Sequence, residues 1–236
     1  RHGKGTCRIM TLHSPQLPLD LGYKPSLTRD DFLVAPCNQI AVHWMDRWPG
    51  WPATALVLIG PAACGKTHLA RIWAHQSGAD IITPRRLTES LIDQARDQPL
   101  VIDQADLLIG DRQAEEILFH LYNQTRASGQ NMLLTMRAAP FSLSFAVPDL
   151  ASRLRASLTI GIDEPDDELL SAVLVKMFHD RQLQVTDDVI RYLVPRMERS
   201  FAAAQDMVDR ADRAAMAEKR GISIALMRGL LERHEG

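Results

Sequence analysis

The sequence predicts an α/β protein: a parallel five-stranded β-sheet flanked by helices, followed by a small α-helical domain at the C-terminal end. Three observations predict it. Short, continuously apolar runs recur along the first two thirds of the chain, as strands buried on both faces require. Stretches with helical periodicity separate these runs, and such alternation implies a mostly parallel sheet with helices on both faces. After Pro165 only helical periodicity remains.

In chain order, residues 11–27 contain Pro15, Pro18, Gly22 and Pro25 without a helical period and read as an extended arm. Arg1 to Ile9 are polar and patternless and precede Met10, which suggests an upstream extension with the natural start at Met10. A helix is expected over Asn38–Trp48, with Ile40, Ala41, Trp44 and Met45 on its inner face and Pro49-Gly50 ending it. Strands are expected over 53–59, 80–83, 100–102, 132–135 and 158–162. Helices are expected over 66–76, 87–96 and 114–127, the last burying Ile117, Leu118, Leu121 and Tyr122. Four further helices fit 167–181, 187–195, 200–219 and 223–233. The organisation is then an arm (1–27), an α/β domain (28–164) and a helical domain (165–236).

The chain has 236 residues, 46% hydrophobic and 24% charged, enough for a sizeable core without staples. Its net charge of −2 offers no general attraction to nucleic acid, so little direct DNA binding is expected. Arg191, Arg196, Arg210, Arg213 and Arg220 are interleaved with aspartates, as on a solvated helical surface. Cys7, Cys37 and Cys64 form no CxxC pair, which points away from zinc and disulfides and toward a reducing, cytoplasmic setting. No apolar run approaches membrane-spanning length.

The chemistry concentrates after the first apolar run. Gly60-Pro61-Ala62-Ala63-Cys64-Gly65-Lys66-Thr67 matches the phosphate-binding pattern GxxxxGK[ST], between an expected strand and an expected helix. The glycines let successive N–H groups turn toward phosphates, and the helix start adds partial positive charge. Lys66 would reach the β- and γ-phosphates of ATP or ADP, and the Thr67 hydroxyl would ligate Mg²⁺. Cys64 fits either a redox-sensitive thiol or a small filler, the latter favoured. Leu100-Val101-Ile102-Asp103 ends a buried strand in an acid placed to hold Mg²⁺ through water. The next residue is Gln104, which can orient water but cannot take its proton. Thr135 is either a polar sensor of the γ-phosphate or a strand filler, and Asp106 reads as a polar turn residue.

Together these motifs resemble the AAA+ superfamily and, within it, the DnaA group, over about residues 28–235. Thr28–Val34 with Asn38 resembles the group's opening motif, which implies that Leu33, Val34 and Asn38 line the adenine pocket. Gly60–His68, GPAACGKTH, resembles its GPxGxGKTH, and Asp149–Leu154 resembles its box VII. Ile162–Glu168 resembles the link into the lid. Two features narrow the resemblance to Hda-like regulators of replication initiation. No basic helix-turn-helix region follows the lid, and Gln16-Leu17-Pro18-Leu19-Asp20-Leu21 resembles the QLxLxL peptide that binds the β sliding clamp of DNA polymerase III. The resemblance implies that Gln16, Leu17, Leu19 and Leu21 dock on that clamp in extended form. It also implies that Arg153 is an arginine finger acting on ATP held by DnaA, with homo-oligomers also conceivable. On the residues alone, Arg153 reads as a solvated helix face pairing with Asp149.

Departures from the group's pattern accompany the match. Arg137 stands where an acidic sensor 1 is usual, and Ala202 where a sensor 2 arginine is usual; Arg199, three residues earlier, is a candidate substitute. With Gln104, three elements of own-site hydrolysis are altered, so the expectation is a protein that binds nucleotide and hydrolyses it slowly or not at all. The rival readings are a helicase-loader-like adaptor acting by contact and a stand-alone ATPase, which Gln104 disfavours.

Overall fold

A computed structural model describes residues 32–94, 97–218 and 221–232. The sheet contains β1 (Ala55–Ile59), β2 (Asp80–Ile82), β3 (Leu100–Ile102), β4 (Met132–Met136) and β5 (Leu158–Gly161), in the order β2-β3-β4-β1-β5. Every pairing is parallel. Strict alternation of side chains explains why these runs are apolar throughout. Ala55 and Val57 of β1 enter the core on one face, while Leu56 and Leu58 enter the core on the other. Leu100 and Ile102 of β3 likewise oppose Val101.

Around the sheet lie α1 (Gln39–Asp46), α2 (Lys66–Ser77), α3 (Leu91–Gln94), α4 (Arg112–Ala127) and α5 (Pro148–Arg155). Helix α4 starts where Asp111 caps it, accepting from the N–H groups of Gln113 and Ala114 at 3.0 and 3.3 Å. It buries Leu118, Leu121 and Tyr122 as its periodicity predicts, with Ile117 partly buried.

Two expectations need correction. In α1 the buried face is Ala41, Val42 and Met45, and Ile40 is 58% exposed. The stripe is rotated by about one residue: Ala41, Val42 and Met45 enter the core beside the sheet, with Trp44 partly buried against it. The helix expected over 87–96 is, among the described residues, only Leu91–Gln94, preceded by a 3-10 turn at Pro84–Arg86. Pro84 opens that turn, and Leu87 is extended behind it.

The helical part comprises α6 (Asp167–Asp180), α7 (Asp187–Leu193), α8 (Phe201–Glu218) and α9 (Ile224–Glu232) around their own core. Asp166 caps α6 by accepting from Leu169 N–H at 2.8 Å. Leu33, Ala35 and Cys37, from the segment before α1, pack against this core. That segment therefore ties the helical lid to the α/β part.

Candidate nucleotide-binding site

The loop between β1 and α2 has little freedom to be anything else. A Cβ on Gly60 would lie 2.1 Å from the Ile162 carbonyl oxygen, so only glycine fits there. Gly65 sits at φ +103°, a region L-residues avoid, and directly precedes α2. A Cβ at Gly65 would also meet the Phe201 ring at 3.2 Å. Phe201 N–H donates to the Ala63 carbonyl at 3.2 Å, so the first residue of α8 braces the loop. Ala63 itself holds φ +57°, which costs a non-glycine residue about 1–2 kcal/mol. Lys66 is buried, and its Nζ donates to the carbonyls of Gly60 at 2.7 Å and Pro61 at 2.5 Å. Buried Cys64 adds a sulfur contact to Nζ at 3.5 Å. The lysine is thus folded onto its own loop, with partners that phosphate oxygens can replace.

Register brings the other groups alongside. Leu58 of β1 pairs with Thr135 of β4, and Leu134 pairs with Ile102 of β3, so Asp103, just past β3, comes level with Thr135. Ligands in open α/β sheets bind at such strand ends. Asp103 follows β3 and is 4% exposed. Thr67 Oγ1 donates to its two oxygens at 3.0 and 3.2 Å. Thr135 Oγ1 donates to Asp103 Oδ1 at 2.6 Å and accepts from Gln104 N–H at 2.8 Å. Thr135 is therefore wired to the acid and does more than fill a strand. Gln104 adopts φ +57° and is exposed.

Ala62, Ala63, Lys66, Thr67, Gln104, Asp106, Thr135, Met136 and Arg137 line one open cavity of about 130 Å³. Arg137 is exposed and shares the cavity with Lys66 and Thr67, so the residue noted as a departure faces the same opening. Asp106 also lines the cavity, where the sequence suggested a turn residue. Glycine-lined backbone donors, one lysine and a hydroxyl–carboxylate pair suit a polyphosphate with a hard divalent cation. Among the described residues, no group of three His, Cys, Asp or Glu side chains forms a metal cage.

The remaining candidates are placed differently. Asn38 is buried and closes its own turn: Oδ1 accepts from Ala35 N–H at 2.9 Å and Nδ2 donates to the Leu33 carbonyl at 3.0 Å. Leu33 turns toward the helical core, and Val34 is 52% exposed. The His68 ring meets Phe32 edge-on at 5.6 Å. Arg199 is not among the residues lining the cavity; it pairs with Asp167 of α6 at 2.9 Å. Arg153, on α5, is exposed and forms no ion pair among the described residues, Asp149 included. Arg155 is instead held by the carbonyls of Pro140 and Leu143 and lies over the Phe145 ring. Gln16, Leu17, Leu19 and Leu21 lie outside the described residues. The sequence reading missed Glu115, a fully buried carboxylate. Its signal was position: it falls three residues before Leu118 and seven before Tyr122, on the buried stripe of α4.

Comparison with known proteins places this geometry. The chain is 26% identical over 233 residues to the chromosomal replication initiator DnaA of Thermomicrobium roseum, covering 87% of this chain and 49% of that one. It is 27% identical over 182 residues to an uncharacterized protein of Haemophilus influenzae, covering 73% and 79%. Residues 166–231 match the family of Hda lid domains. The chain is similar to Hda over its helical part and to DnaA over most of its length. Its fold agrees with domain III of DnaA from Thermotoga maritima at a TM-score of 0.78 and 22% identity, over 89% of this chain and 97% of that one. AMPPCP-bound DnaA from Aquifex aeolicus superposes at a TM-score of 0.67 and 17% identity, over 79% and 65%. The chain spans about half the length of the DnaA sequences it matches, 49% and 52% in two of them. The matched lid region spans α6 to α9, and Phe201 is the residue in it that meets the Gly60–Thr67 loop.

Proposed function

We propose that this protein regulates the initiation of DNA replication by promoting hydrolysis of ATP bound to DnaA, with Arg153 as an arginine finger in trans. One observation carries the reading: an exposed guanidinium without an ion pair among the described residues, on a helix anchored by buried Leu150, Ala151 and Leu154, in a chain whose own acid is followed by Gln104. A rigidly mounted planar cation suits stabilisation of charge developing on a partner's γ-phosphate. Gln104 cannot take a proton from water at the position after the acid, which favours holding nucleotide over turning it over.

In its own site, adenine nucleotide would sit on the Gly60–Thr67 loop with Lys66 turned to the phosphates, and Thr67 and Asp103 would hold Mg²⁺. The bound cation would neutralise phosphate charge and fix the phosphate conformation. Because Phe201 touches the loop at Gly65 and Ala63, ligand there would set the lid's position on the α/β part. Docking on the sliding clamp through Gln16–Leu21 rests on the peptide's resemblance alone.

The test follows ADP formation on ATP-loaded DnaA in the presence of this protein, clamp and DNA. Acceleration that vanishes with Arg153→Ala is expected. No acceleration, or full acceleration by Arg153→Ala, removes the reading. A clamp pull-down with Gln16→Ala tests the docking peptide separately.

A further inference from the structure

Glu115 stands on the first turn of α4 with no exposed surface and, among the described residues, no ion-pair partner. Its carboxylate is instead surrounded by backbone donors from two separate loops. Oε1 accepts from Gly110 N–H at 2.7 Å and from Ala146 N–H at 3.0 Å. Oε2 accepts from Val147 N–H at 2.7 Å. Gly110 belongs to the loop that leaves Asp103 and Gln104 through the 3-10 turn Ala105–Leu108. Val147 is the N-cap of α5, the short helix that carries Arg153.

The bonding is chemically specific. In an ordinary capping box, a glutamate three residues into a helix reaches back to the N-cap N–H. Helix α5 has no side-chain cap of its own, and a different helix supplies that glutamate. Three short N–H contacts to one carboxylate are charge-assisted and strong when buried. The carboxylate therefore fixes where α5 begins, relative to the loop behind the acid of the nucleotide site.

We infer that Glu115 is a positioning residue for Arg153: it locks the start of the finger helix to the loop following Asp103. The inference rests on the function proposed above. An eight-residue helix with its N-terminus loosened would present its guanidinium over a range of positions, and misplacement of about 1 Å can cost about a hundredfold in rate.

Glu115→Gln tests it in the full-length chain, because glutamine keeps the shape but offers only one acceptor oxygen. Whichever way it is turned, at least one of the three N–H groups faces an amide donor. The expected result is faster hydrogen exchange at Ala146 and Val147. In the DnaA assay, the maximal rate falls by about tenfold or more. The concentration for half-maximal stimulation and the affinity of the chain's own site for ADP stay unchanged. A merely structural role would lower the melting temperature without separating these parameters. A wild-type maximal rate for a folded Glu115→Gln overturns the inference. If the unaltered protein does not stimulate DnaA at all, the proposed function fails instead. Exchange then decides the positioning role alone: unchanged protection at 146–147 overturns it. Should Glu115→Gln not fold, Glu115→Asp, which keeps the charge but is one methylene too short to span both loops, is read in the same way.

Discussion

The Thr135 hydroxyl donates to Asp103 Oδ1 at 2.6 Å, while Thr67 reaches the same carboxylate from the first turn of α2 at 3.0 Å. The two hydroxyls come from residues 68 positions apart in the chain and meet on one acid because β3, β4 and β1 are neighbours in register. The acid is thereby oriented before any ligand arrives.

Thr135→Val keeps the shape of that side chain and removes its hydrogen bonds. Asp103 loses one donor and Gln104 N–H its acceptor, which should cost about 1–3 kcal/mol of stability for the buried groups. Thermal unfolding reads this loss. Calorimetry with and without Mg²⁺ is expected to show that most of the cation's contribution to nucleotide affinity disappears.

Lys66→Ala removes the buried ammonium that bridges the Gly60 and Pro61 carbonyls. A charge-assisted contact to phosphate is worth about 1.5–3 kcal/mol, so affinity for ADP is expected to fall about 10- to 150-fold. Unchanged calorimetric titrations would exclude the loop as a phosphate site.

Gln104→Glu places a carboxylate at the rim of the cavity, beside Thr67 and Asp106. A positioned general base contributes about 10²–10⁴ in rate. Own-site ATP turnover, measured in the absence of DnaA, is expected to rise by about tenfold or more over the unaltered protein. The left-handed backbone at this position is already accommodated, so the fold should survive the change.

Arg153→Ala and Arg153→Lys remove an exposed group that has no ion pair among the described residues, so stability should change by no more than about 0.5 kcal/mol. Both variants are expected to lose stimulation of DnaA-bound ATP hydrolysis, by about a thousandfold for alanine. Own-site nucleotide binding serves as the control and should not change.

Cys37 offers a pH test of the packing between the α1 approach and the lid. Burial first, then the charge of Asp166 and more weakly Asp163, raise its thiol pKa above the ordinary value. The folded state holds the proton more tightly than the unfolded one, so this contribution to stability is full below the unfolded thiol pKa. It is lost as pH rises through the folded value. Alkylation of Cys37 at pH 8, followed by peptide mass spectrometry, is expected to be slower in the folded protein than in denaturant.

The glycine-flanked turn between β1 and α2, the acid at the end of β3, the five strands and the helical lid were legible in the chain because each is written locally. A glycine-flanked lysine between an apolar run and a helix, or a doubly buried strand, needs only neighbours in sequence to be read. The outward turn of Ile40 and the start of α3 at Leu91 were not legible, since they depend on what shape the sheet leaves for each helix. Nor was the wiring of Thr135 to Asp103, the hold of Phe201 on Gly65, or the role of Glu115. Each of these joins groups from distant parts of the chain, and a hydrogen bond between them exists only once the strands have chosen their order. Composition and periodicity decide which elements form; the partners of a buried polar group are decided by which elements pack together.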